Sequence, residues 1–210
     1  MEQSTLKYLR VLIPGLIFLV CFYPIYEKHF SSLYKVTSID FSYLTLLSII
    51  AGSIYYLLNL QYLITELSRR FIIADNIRIN LISISGLSLT SQQEKKIKKE
   101  KRYMHVFYNL LDKDESLKRK TSNVYFNGIF WTSTADSFLM NITFCFLYKF
   151  LFVDITNSTI YSEMFFWIAI LSIILHAVSI IKHVMLSNAQ LKYIKEHYKQ
   201  EVNTKMNALL

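Results

Sequence analysis

Glycine, proline and cysteine are nearly absent from this chain, with four, two and two copies among 210 residues. So little glycine and proline excludes collagen-like, linker-like and low-complexity architectures. Two cysteines cannot build a disulfide framework. Cys21 and Cys145 both sit inside apolar runs, so neither has the spacing of a zinc site. Catalytic signatures are missing as well: there is no G-x-S-x-G, no phosphate-binding glycine loop, no H-E-x-x-H and no deaminase pattern. Asp136, His176 and His183 carry metal-ligand chemistry, but no two of them stand at a diagnostic ligand spacing. The expectation is therefore no enzyme, no cofactor and no resident metal. Acidic residues are few too, 15 against 23 Lys and Arg, which gives a formal net charge of +8.

What the chain does have is apolar residues, 53% of the total, gathered into runs at 11–25, 41–65, 130–153 and 165–184. Such content in a short chain points to an integral membrane protein. The fold expected is all-α with four transmembrane helices. Residues 1–65 hold spans 1 and 2, 66–128 a basic cytoplasmic segment, 129–185 spans 3 and 4, and 186–210 a cytoplasmic helical tail. The first run follows Lys7 and Arg10 but lacks a small-residue cleavage site, so it reads as an uncleaved span. Pro14 within it implies either a kink or a helix that starts there.

Lys and Arg set the orientation. The N-terminal tail has two, residues 66–128 have 13 and residues 182–210 have five, so 20 of the 23 fall on one side of the four runs. The positive-inside rule places both termini and the middle segment in the cytoplasm. Ile, Lys, Asn, Tyr and Phe are abundant where Ala, Gly and Pro are scarce, as in AT-rich bacterial genomes, which suggests the bacterial inner membrane.

Candidate functional residues come from helical spacing. In the second run Thr45, Ser48, Gly52, Tyr55, Asn59, Tyr62 and Glu66 alternate steps of three and four, which puts all seven on one face of a continuous helix. Lipid offers no partner for such groups, so the stripe faces protein or water: it is a packing seam or a pore lining. The fourth run repeats the pattern with Ala169, Ser172, His176, Ser179 and His183, and the third adds Thr132, Asp136, Asn141 and Tyr148. Counting inward from the outer helix ends gives a midplane layer of Gly52, Asn141 and His176. An inner layer holds Asn59, Asp136 and His183, with Asn59 or His183 expected to partner the Asp136 carboxylate.

In the middle segment Ile82, Ile84, Leu87 and Leu89 alternate with serines around Gly86, which suits a short strand or hairpin. Ser91 and Glu94 then read as a capping box opening a helix to about Leu111. Its polar side, Lys95, Lys96, Lys98, Lys99, Lys101 and Arg102, is an anionic-partner surface suited to membrane lipid, a cytoplasmic protein or single-stranded nucleic acid. After the fourth run, Leu191, Ile194, Tyr198 and Val202 continue the helical period, predicting a self-associating stalk to about Glu201.

The basic N-terminus running into Arg10-Val11-Leu12-Ile13-Pro14-Gly15-Leu16, the four spans with both ends inside and the single basic cytoplasmic segment resemble the small four-span membrane effectors of bacterial anti-phage defence, such as the Hailong and Kiwa membrane proteins. That resemblance implies an oligomeric, channel-like effector that breaks the membrane barrier when a cytoplasmic partner signals infection. A homo-oligomer, most simply a tetramer, would supply the partners that four short spans lack. The alternatives are a non-conducting anchor or receptor subunit for a soluble partner or nucleic acid, and a small transporter using Asp136 and His176.

Overall fold

The computed structural model describes residues 3–31 and 41–210, and every element among them is helical. In chain order these are α1 (Gln3–His29), α2 (Phe41–Leu58), α3 (Tyr62–Ser68), α4 (Ala74–Ser85), α5 (Ser91–Glu100), α6 (Tyr103–Lys113), α7 (Glu115–Phe146), α8 (Ser158–His197) and α9 (Lys199–Asn207). A π-helical turn at Arg69–Ile73 joins α3 to α4, and another at Leu147–Leu151 extends α7. Two helices are long and apolar enough to cross a membrane, α1 over Thr5–His29 and α8, and α2 with the helix after its break makes a third, bent candidate. The third apolar run occupies the end of α7 and its π-helical extension, and Thr132, Ser133, Thr134, Asp136, Ser137 and Asn141 dilute its hydropathy.

The chain divides into two compact units, Met1–Thr65 with Ile129–Val178, and Glu66–Gly128 with Ser179–Leu210. In the first unit α1 and α2 pack backbone to backbone. A methyl group added at Gly15 would strike the Ser48 carbonyl, and one at Gly52 would strike the Val11 carbonyl. Only hydrogen side chains allow that approach. An aromatic core lies beside it: Cys21, Ile25, Phe144, Cys145, Tyr148, Ile155 and Phe165 are buried together, with the Tyr148 ring 5.5 Å from Phe165 and 5.4 Å from Tyr161.

The second unit has its own core, in which Leu81, Leu110, Leu117, Leu191, Ile194, Val202 and Met206 are fully buried. Asp114 caps α7 by accepting from the Leu117 amide at 2.9 Å, and its other oxygen accepts from the Tyr198 hydroxyl at 2.7 Å. The chain breaks at that tyrosine. Beyond it α9 packs on α4 and α6, and Asn203 donates to the Ser85 carbonyl at the C-terminal end of α4.

Several local expectations are corrected. The strand or hairpin at residues 82–89 is the end of α4 and its exit: Ser85 Oγ donates back to the Ile82 carbonyl, and Gly86, at φ 70°, caps the helix in left-handed geometry. The capping box is one residue earlier, with Thr90 as N-cap and Gln93 returning the bond to its amide. The basic helix does not run to Leu111 but stops at Lys101, whose φ of 55° ends α5 before α6 begins. The continuous second span breaks at Asn59, φ 52°. The continuous stalk expected to about Glu201 ends at His197, and a separate helix, α9, begins at Lys199. Pro14 is no helix start, because α1 begins at Gln3. Of the connection expected over 27–40, residues 32–40 lie outside the described residues.

Candidate functional site

The polar groups of the first unit are built mainly on α7. Asp136, only 2% exposed, accepts a hydrogen bond from the Tyr55 hydroxyl of α2 at 3.0 Å. That bond comes from Tyr55, not from the expected Asn59. Asn59 is exposed at the break after α2. Around the helix from Asp136, Ser137 Oγ lies 2.8 Å from Ser172 Oγ of α8, and Asn141 donates to the Ser137 carbonyl at 2.7 Å. The Cys21 thiol of α1 points at Asn141 Oδ1 at 3.9 Å, and Tyr148 donates to the Cys21 carbonyl at 3.0 Å.

His176 completes the chain on the α8 side. Its Nδ1 lies 3.0 Å from the Trp131 carbonyl and 3.2 Å from Thr134 Oγ1. A carbonyl can only accept, so Nδ1 carries the proton and Nε2 is left as an acceptor. That Nε2 is buried and has no hydrogen-bond partner among the described residues. This arrangement can accept a proton or a donor hydrogen bond at His176, and it can exchange helix-to-helix bonds for water along one line from α2 through α7 to α8.

The structure therefore separates the predicted stripes. Ser48 and Gly52 of α2 and Ala169, Ser172 and His176 of α8 are buried, with Thr45 and Tyr55 half-buried, inside one copy of the chain. Asn59 and Tyr62 are exposed. Ser179, in the second unit, is buried and its carbonyl accepts from Asn127 at 2.9 Å, while His183 is half-buried. Thr134, Ser137 and Trp131 went unrecognised at the sequence level. A signal for two of them existed: Thr134, Ser137 and Asn141 follow the same three-then-four spacing that marks α8.

In the second unit the lysines of α5 are not equivalent. Arg78 of α4, 6% exposed, donates to Glu94 at 2.7 Å and to Asp75 at 3.3 Å, and Lys98 donates to Asp75 at 2.9 Å. Burial pushes the Asp75 carboxyl up, but Lys98 and Arg78 outweigh it and hold it below the usual carboxylate range. Lys96 donates to the Leu210 carbonyl at 3.0 Å, and Arg102 lies 3.9 Å from Glu100. Lys95, Lys99 and Lys101 pair with no carboxylate among the described residues.

Helices of membrane-crossing length and apolarity, around a buried polar line, define an all-helical membrane protein. Among known proteins, no family model, curated sequence or solved structure matches the chain. No group of three or more metal-ligating side chains gathers among the described residues.

Proposed function

We propose that the chain crosses the bacterial inner membrane four times, with both termini and the segment 66–128 in the cytoplasm, and that it acts as a homo-oligomeric, channel-like effector. In this reading the present conformation is the sealed one, and a cytoplasmic partner or signal releases it to breach the barrier. The observation that carries the proposal is the line of bonds from Tyr55 to Asp136, Ser137 to Ser172 and Thr134 to His176, buried between helices. An anchor needs only apolar spans, whereas a carboxylate at such depth costs roughly 2.5–3.5 kcal/mol unless a partner or water receives it. Groups that hold one another when closed are available to water when the helices part. The role in anti-phage defence rests on the resemblance of layout.

A non-conducting anchor is the second reading. It is favoured by the Gly15–Ser48 and Gly52–Val11 contacts, which make the small residues of α2 a seam against α1. Native mass measurement in mild detergent and potassium flux from vesicles, each with and without cytoplasmic extract from infected cells, separate the two. A tetramer that conducts on activation supports the effector. A monomer, or a one-to-one complex with a soluble protein and no flux under any condition, overturns it in favour of the anchor.

A further inference from the structure

The His176 ring is bonded on one edge and bare on the other. Its Nδ1 donates to the Trp131 carbonyl at 3.0 Å, and Thr134 Oγ1, 3.2 Å away, can share that hydrogen because its own goes to the Phe130 carbonyl at 2.9 Å. Nε2 is therefore the unprotonated nitrogen, and it is buried with no hydrogen-bond partner among the described residues. The ring stacks on the Trp131 indole, with centroids 6.3 Å apart and planes inclined by 29°. Trp131, Thr134 and His176 all belong to the first unit, so these contacts lie within one compact body. The titratable groups of the neighbouring helices are engaged elsewhere. Asp136 of α7 takes the Tyr55 hydroxyl of α2, the Cys21 thiol of α1 points at Asn141, Cys145 meets Ser162, and Tyr148 donates to the Cys21 carbonyl. Along α8 itself Glu163 is about 20 Å back, and Lys182 and His183 are about 10 Å on, at 1.5 Å per residue.

We propose that His176 Nε2 is a proton-binding site that biases the channel toward opening: the closed packing of α7 on α8 has no place for a proton there, and the form in which these helices part does. The inference deepens the effector reading above and rests on it. An imidazolium donates from both nitrogens, and in the closed form the second donor would point into packing that offers it no acceptor. Once the helices part, water accepts from Nε2 and the ring takes a proton as any hydrated imidazole does. A ligand that binds one of two states better shifts the population toward that state, and here the ligand is the proton. The closed form therefore keeps its full advantage above about 6.5, the ordinary value for a hydrated imidazole, and loses it as the pH falls below that value. The face of the Trp131 indole can receive a cation, so the charged ring has a reason to stay beside it.

The test uses the full-length protein in vesicles and reads the site and the channel separately. The chain has two tryptophans, and Trp167 is exposed, so Trp167→Phe leaves Trp131 as the only emitter. A charged imidazole stacked on an indole quenches its emission, and a neutral one does not. Trp131 emission is expected to fall as the pH is lowered below about 6.5, and potassium release to rise several-fold between pH 7.5 and pH 5.5. Both changes are expected to vanish in His176→Asn, whose amide can still donate to the Trp131 carbonyl but has no nitrogen that titrates. Emission that stays flat, or acid-driven release equal in His176→Asn and the parent, overturns the inference. If infected-cell extract still causes release in those cases, the effector reading stands without it. A Trp131 titration with no release at any pH, with or without extract, overturns the effector reading on which the inference rests. Should His176→Asn fail to fold, the chain with His176 intact still decides: emission and release are expected to share one midpoint, and separate midpoints overturn the coupling.

Discussion

At Asp136 the consequence of burial is a dependence on one hydroxyl. Tyr55→Phe removes the hydrogen bond that the tyrosine hydroxyl donates to this carboxyl and should destabilise the protein by about 1–3 kcal/mol. Asp136→Leu leaves the tyrosine hydroxyl unpaired and should cost a similar amount, while the double variant should cost less than the two together. Thermal unfolding in detergent, read as a double-mutant cycle, checks this, and additive effects would mean that the pair is not coupled. Asp136→Asn keeps the shape and a hydrogen-bonding group, so it should preserve assembly while changing vesicle leak. Gly52 is a harsher case. Even Gly52→Ala places a carbon against the Val11 carbonyl, so a lowered melting temperature, and a further drop for Gly52→Val, are the expected outcomes.

Among the elements, α9 is the one whose attachment should depend on pH. The Asp114 carboxyl is held below its usual value by the Tyr198 hydroxyl and then by the Leu117 amide, and Glu201 is held down by Lys113 and Lys205. Both contributions are complete above the unfolded value of about 4 and are lost as the pH falls through the lower folded values. Tyr198 behaves in the opposite sense: the hydrogen bond to Asp114 pushes its hydroxyl up to about 12, so its contribution is complete below about 10 and is lost as the pH rises through about 12. Proteolytic cutting near residue 198 should increase at both extremes, and Asp114→Asn should flatten the acid limb. This junction was not legible in the sequence. The period of Leu191, Ile194, Tyr198 and Val202 is helical throughout, and the break at Tyr198 coincides with a tertiary bond to Asp114 that the period does not show. The breaks at Asn59 and Lys101 have the same character, since neither is announced by glycine or proline. The cap before α5 was nearly legible, because Thr90 and Ser91 are both good caps and Gln93 and Glu94 both suit the third position. Helical content and membrane character could be read from the apolar runs. The partner of Asp136 could not, because it depends on how α2 meets α7.

On the scale of the whole molecule, the six cations of 95–102 divide by what already holds them. Lys98→Gln should loosen the Asp75–Arg78–Glu94 cluster and lower stability without changing anion binding. Replacing Lys95, Lys99 and Lys101 by Gln should remove the salt-sensitive part of binding to anionic vesicles or single-stranded nucleic acid. Vesicle sedimentation over a salt series checks both, and unchanged binding in the triple variant would leave these lysines as an orientation signal only. The left-handed break at Asn59 sets one further property of the proposed four-span form. It stops α2 at 18 residues, about 27 Å of helix against a hydrocarbon layer of about 30 Å. Such a span acts as a gauge of bilayer thickness. Long-chain lipids would have to thin around it or drive copies together to share the mismatch, so acyl-chain length becomes a control on the protein's assembly and on the membranes in which it is content to stay.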